Sequence, residues 1–166
     1  MFIFYTRTQF NIQMKNVIDT SLLEPTNNVK LYFSSTETCL ERPLVSDAIS
    51  AGFPSPALDF SEIAIDLNKH IIKRPTATFF GRVEGSSMKD IGISDGDLIV
   101  IDKSLKPKNG RVAVCYVDGA FTIKTIQFTN ESCWLIPANE AYKAIEITAE
   151  NDFVIWGIVT YVIKAF

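Results

Sequence analysis

Asp118-Gly119 constrains the fold of this chain more than any other pair of residues. It separates two apolar runs, Arg111 to Val117 and Ala120 to Gln127, and an Asp-Gly pair between such runs closes a tight β-hairpin. The same punctuation continues on both sides. Thr78 to Val83, Asp97 to Asp102, Ser132 to Ile136, Ala144 to Ile147 and Phe153 to Ile163 are short apolar runs bounded by turn residues. About seven short strands with few helices predict an all-β or β-dominated domain. Asp66 is placed to cap one short helix through Leu67, Ile71 and Ile72, which must stop before Pro75.

The 166 residues suit one domain of ordinary size with an appendage, and 47% hydrophobic against 21% charged residues supports a packed core. A net charge of −3 argues against a free-standing, electrostatically driven nucleic-acid binder. Three cysteines, Cys39, Cys115 and Cys133, are too few and too scattered for a zinc motif or a disulfide framework, so no metal and no cofactor are expected. Cys115, inside an apolar run, reads as a small buried hydrophobe rather than a nucleophile. The amino terminus lacks a signal-peptide pattern, and no apolar run approaches the roughly 20 residues that span a bilayer. The expected location is the cytoplasm, away from any membrane. Met14 offers an alternative start, in which case residues 1–13 are not part of the native chain.

Residues 1 to 50 carry no sustained periodicity and read as an extended amino-terminal arm. Pro25-Thr26-Asn27-Asn28 marks a turn or linker. Leu22, Leu23, Leu31, Tyr32 and Phe33 supply apolar patches that would add an edge strand or lie across a partner. No pair of helices joined by a tight turn precedes residue 51, so a sequence-specific DNA reader is disfavoured. Ala51-Gly52-Phe53-Pro54-Ser55-Pro56 then forbids regular structure and favours an extended, exposed path. An ordinary proline-rich linker has the same composition.

The chemistry-bearing residues are Gly85-Ser86-Ser87-Met88 and Lys124. A serine hydroxyl needs a base within hydrogen-bond reach, and His70 is the single histidine of the chain. It lies among Lys69, Lys73 and Arg74 and reads as a surface or capping residue. A lysine serves instead when burial disfavours its ammonium form. On a strand, Lys124 shares a face with Thr122 and Ile126, while Phe121 and Ile123 point the other way. Two readings of Lys124 stay open at this point, a desolvated base and an edge-strand lysine that guards against aggregation. Gly85-Ser86-Ser87-Met88 is equally a strand-to-helix turn with free backbone N–H groups or a flexible loop, and Met88 has the alternative of filling core space.

The ordered set of blocks narrows this. Gly85-Ser86-Ser87-Met88, Ile91-Gly92-Ile93-Ser94-Asp95-Gly96-Asp97-Leu98-Ile99 and Val117-Asp118-Gly119-Ala120-Phe121-Thr122-Ile123-Lys124 resemble the self-cleaving LexA/UmuD family. So do Leu135-Ile136-Pro137-Ala138-Asn139-Glu140-Ala141-Tyr142 and the carboxy-terminal Gly157 to Ala165. Upstream, Ala51 to Ala57 and Ile65-Asp66-Leu67-Asn68 are similar to the UmuD branch rather than to LexA. The resemblance covers residues 43 to 166.

The resemblance implies a compact LexA-like peptidase domain of short twisted strands with one or two short helices. It implies Ser87 as nucleophile, Lys124 as general base, an oxyanion-binding turn at Gly85, Ser86 and Met88, and self-cleavage between Ala51 and Gly52. Residues 1–51 would then be the arm removed by cleavage, and 52–166 the peptidase and dimerisation domain. The partners it implies are a second copy of the chain, a RecA filament on single-stranded DNA that promotes cleavage, and a UmuC-type error-prone polymerase in translesion synthesis. The rival readings are a non-catalytic interaction subunit, a remnant of a LexA-like repressor, and a type I signal peptidase. The missing DNA-reading helices count against the repressor, and the missing membrane anchor counts against the signal peptidase.

Overall fold

The computed structural model describes residues 29–33, 41–45 and 62–166. Its strands are β1 (Val29–Phe33), β2 (Glu41–Val45), β3 (Glu62–Asp66), β4 (Thr78–Val83), β5 (Leu98–Asp102), β6 (Val112–Val117), β7 (Ala120–Phe128), β8 (Cys133–Ile136), β9 (Ile145–Ile147) and β10 (Phe153–Ile163). Helix α1 (Leu67–Ile71) is short, and single 3₁₀ turns occupy Pro75–Ala77 and Lys89–Ile91. Asp66 caps α1, its Oδ1 accepting from the Asn68 and Lys69 N–H groups, as the sequence predicts. The domain is strand-dominated with one short helix, in agreement with the expected class.

Eight strands form one antiparallel sheet in the order β1-β4-β5-β10-β6-β7-β8-β9, and β2 pairs with β3 in a separate ribbon. The β6–β7 hairpin turns at Asp118-Gly119, both at positive φ (47° and 91°), which an Asp-Gly pair adopts more readily than most. β10 carries two register shifts, between Ile155 and Gly157 against β6 and between Val159 and Tyr161 against β5. Each such bulge bends the strand and strengthens its twist, so β10 serves β6 with its first half and β5 with its second. The curled sheet buries two apolar clusters. One holds Met88, Ile93, Ile99, Ile101, Val114, Phe121, Ile123 and Trp156. The other holds Ala113, Cys115, Ile126, Cys133, Leu135, Ile147 and Ile158.

The boundaries of β4 and β10 coincide with the sequence reading, and those of the other expected strands differ by one residue. The amino-terminal part differs more. The apolar patch at Leu31, Tyr32 and Phe33 becomes β1, an edge strand on β4. The β2–β3 pair is not foreseen, because Pro43 interrupts β2 and neither strand shows a clear alternation. The segment joining β2 to β3 contains Ala51 and Gly52, which lie outside the described residues.

Gly157 is where the sheet tolerates no side chain. A Cβ there would stand 2.6 Å from Ile101 Cγ2, and Ile101 is completely buried with no room to retreat. Gly157→Ala is expected to cost about 2 kcal/mol through this overpacking. Thermal unfolding should show a midpoint lower by roughly 4–8 °C; an unchanged midpoint would mean that β10 relaxes at its bulge.

Candidate active site

β4 ends at Val83, and the chain enters a turn whose first bend is Gly85, at φ 89°. The turn is tied from both sides. Asp95 Oδ1 accepts from the Gly85 N–H at 2.7 Å, Val83 N–H donates to Asp97 O, and Gly96 N–H donates to Val83 O. Asp97 itself is buried. Desolvation acts to raise its pKa, but the Ser94 N–H and the Lys164 ammonium 3.0 Å away outweigh it and hold the carboxyl below its ordinary value. The turn therefore rests on an ionised, internally bonded loop.

After the turn, Met88 drops its side chain into the first apolar cluster with 2% exposure, and its carbonyl accepts from both Ile91 and Ile93. Core filling is thus what the Met88 side chain does. Ser87 stands between the anchored glycine and the anchored methionine, half-buried, at a strand-to-3₁₀ transition, the first of the two readings the sequence left open.

Lys124 comes from the middle of β7, opposite Ala113 of β6, and is 6% exposed. Its Nζ lies 3.0 Å from Ser87 Oγ, 2.8 Å from Thr122 Oγ1 and 3.0 Å from Ile123 O. Among the described residues no carboxylate pairs with it. Burial lowers its pKa below the ordinary 10.5, only partly opposed by Cys115. Lys124 is thus enclosed in the sheet rather than exposed on an edge strand.

The three contacts define what the amine can do. The Ile123 carbonyl only accepts, so it holds one N–H, and Thr122 Oγ1 is the natural acceptor for the second. A neutral amine then keeps its lone pair for the Ser87 O–H, while an ammonium sends its third N–H to Ser87 Oγ. Both protonation states fit the same cage, so a proton can move between oxygen and nitrogen without moving the lysine.

A second loop, Pro137 to Tyr142, clasps the serine turn. Ala138 N–H donates to Ser87 O at 2.8 Å and Asp90 N–H donates to Ala138 O at 2.9 Å. Asn139 Nδ2 donates to Ser86 O at 2.9 Å, and its Oδ1 accepts from Ala141 N–H at 3.0 Å. The Ser86 and Tyr142 hydroxyls are 3.3 Å apart. Sequence reading missed Thr122 and Asn139 as parts of this site. Asn139 had a weak signal, a side-chain amide in a Pro-Ala-Asn turn.

The other candidates lie apart from this chemistry. His70 is exposed on α1 with its ring 6.4 Å from that of Tyr161. Cys115 is completely buried, and desolvation drives its thiol far up; Cys133 is raised by burial to about 11. Neither is a ready nucleophile. Among the described residues no three His, Cys, Asp or Glu side chains gather as a metal would require, and no helix is long and apolar enough to cross a membrane.

Residues 43–160 match the family model described as Peptidase S24-like. The chain is 43% identical to Protein SamA of Salmonella typhimurium over 71% of its own length and 81% of that protein's. It is 42% identical to Protein ImpA of Escherichia coli over 74% of its length and 83% of the relative's. A LexA repressor of Alcanivorax borkumensis is 37% identical over 75% of this chain and 59% of the repressor.

Proposed function

The chain belongs to the Peptidase S24-like family as a UmuD-type member, and we propose that Ser87 and Lys124 cut the Ala51–Gly52 bond of the same protein. The observation that carries the reading is a buried lysine 3.0 Å from the serine hydroxyl, with no carboxylate beside it among the described residues. Neutral Lys124 takes the Ser87 proton as Oγ attacks the Ala51 carbonyl carbon. The tetrahedral oxyanion collapses, the Ala51–Gly52 C–N bond breaks, and the Lys124 ammonium returns its proton to the Gly52 amine. Water, deprotonated by the same lysine, then hydrolyses the Ser87 ester and frees the Ala51 carboxyl.

The same membership supports a reading of the cellular role. The chain acts in the SOS response, cleavage is stimulated by a RecA filament on single-stranded DNA, and the trimmed homodimer serves a UmuC-type polymerase. One surface supports the dimer. The last part of β10 pairs with β5 but has no β6 partner beyond Ile158, and it exposes Tyr161, Val162 and Ile163, followed by Phe166. An open strand edge with apolar side chains favours pairing with another chain.

The test is the pH dependence of unassisted cleavage. Below the lysine pKa the neutral fraction, and with it the rate, should rise about tenfold per pH unit. It should level off below pH 10.5, because burial lowers that pKa. Mass spectrometry of the products should place the cut between residues 51 and 52. A rate independent of pH while the fold is intact, or a chain that stays whole, would sink the reading and leave a non-catalytic interaction subunit in its place.

A further inference from the structure

We propose that Asn139 is a positioning residue that aims the oxyanion-binding N–H of Ser87, an inference that rests on the Ser87–Lys124 chemistry above. In a trans peptide unit the C=O and N–H point opposite ways, and no cis peptide occurs among the described residues. Fixing the carbonyl of such a unit therefore fixes its N–H. Two peptide units flank the Ser87 α-carbon. The first is held by its carbonyl, Ser86 O, which accepts from Asn139 Nδ2 at 2.9 Å and, at the longer distance of 3.3 Å, from the Lys89 N–H. The second is held by Ser87 O, which accepts from the Ala138 N–H at 2.8 Å.

Their N–H groups belong to Ser87 and Met88. Among the described residues neither donates to a protein acceptor, although most N–H groups of the neighbouring turns do. Two adjacent N–H groups, oriented through their carbonyls and left unpaired beside the nucleophile, are the donors a developing oxyanion needs. Their orientation is set in advance and costs nothing when charge appears.

Asn139 is suited to this task. It is 7% exposed, and both ends of its amide are engaged, Nδ2 on Ser86 O and Oδ1 by the Ala141 N–H. The backbone bonds from Ala138 to Ser87 O and from Lys89 to Ser86 O survive almost any substitution, but the shorter of the two bonds to Ser86 O, at 2.9 Å against 3.3 Å, is made by this one side chain. Asn139 touches neither Ser87 Oγ nor Lys124 Nζ, so it acts on the oxyanion and not on the base.

That separation gives the test. Asn139→Asp keeps the size of the side chain and the acceptor for Ala141. It replaces the donor to Ser86 O by a carboxylate oxygen that repels it. Asn139→Ala removes both bonds. Self-cleavage of the full-length chain would be followed from neutral to alkaline pH for wild type and both variants, with thermal unfolding of each.

Both variants should lower the plateau rate by about 10- to 100-fold, somewhat less than loss of an entire oxyanion donor. In Asn139→Ala the pH midpoint set by Lys124 should stay where it is in the wild type, whereas the added carboxylate of Asn139→Asp moves it, if at all, upward. A wild-type plateau in Asn139→Asp would overturn the proposal, since the donor would then be dispensable. So would a plateau that falls only in step with unfolding, or a shifted midpoint in the neutral variant Asn139→Ala, which would place Asn139 in the fold or in the lysine's surroundings. If the wild type itself remains whole, the Ser87–Lys124 reading fails first, which is a separate result from either of these.

Discussion

Lys124→Met should leave the chain full-length across the whole pH range in which the wild type divides, with a rate lower by about 10³- to 10⁴-fold. Lys124→Arg should fail equally. Arginine keeps a positive charge near Ser87 but cannot be deprotonated in this range, so it offers no lone pair to the serine proton. Activity retained by Lys124→Arg and lost by Lys124→Met would instead make the lysine a fixed charge that stabilises the oxyanion. The three neutral partners of Nζ favour the base: among the described residues nothing beside it compensates an ammonium as a carboxylate would.

The same substitution has a signature in stability. Lys124 has a folded-state pKa below its unfolded value of 10.5. Between those two pKa values the unfolded chain binds more protons than the folded one, so stability rises with pH through that window. Below the folded pKa the native state carries a buried ammonium, and the penalty is fully present. It disappears as pH approaches 10.5. Lys124→Met removes the titrating group, so urea unfolding at neutral and at alkaline pH should show the wild type gaining on the variant as pH rises. Parallel behaviour of the two would mean that Lys124 titrates normally despite its burial.

Much of this was legible in the chain itself. Turn residues cut the carboxy-terminal two thirds into runs whose length and alternation specify strands, and Asp118-Gly119 set the register that puts Lys124 opposite Ala113. Asp66 declared its helix, because an N-cap is a local hydrogen bond. What the sequence could not announce is non-local. The clasp of Pro137–Tyr142 on the serine turn joins residues about fifty positions apart, through backbone groups whose direction no side chain encodes. β2 and β3 escaped notice because their pairing lies across the turn-rich segment that contains Ala51 and Gly52. Periodicity alone also left Lys124 divided between edge and interior. Both faces of β7 are buried, and only the assembled sheet makes that visible.

Ser87→Ala should abolish cleavage by at least about 10⁴-fold while leaving the fold in place. Lys124 Nζ loses one neutral partner of three, a change of about 1 kcal/mol in stability. Two other hydroxyls lie near enough to test whether the serine is unique. Ser86 Oγ sits beside Tyr142 Oη and is not a partner of the lysine, so it has no base to activate it. Thr122 Oγ1 is the stronger rival, at 2.8 Å from Nζ. Yet Thr122 projects from a strand, whereas Ser87 lies on a turn of its own with both base and backbone donors beside it. The double variant Ser87→Ala, Thr122→Val separates the two hydroxyls. Ser87→Ala alone should already leave the chain whole by mass spectrometry at the wild-type plateau pH. Fragments from Ser87→Ala that vanish in the double variant would transfer the nucleophile to Thr122, and fragments from both would remove the lysine-activated hydroxyl from the chemistry altogether.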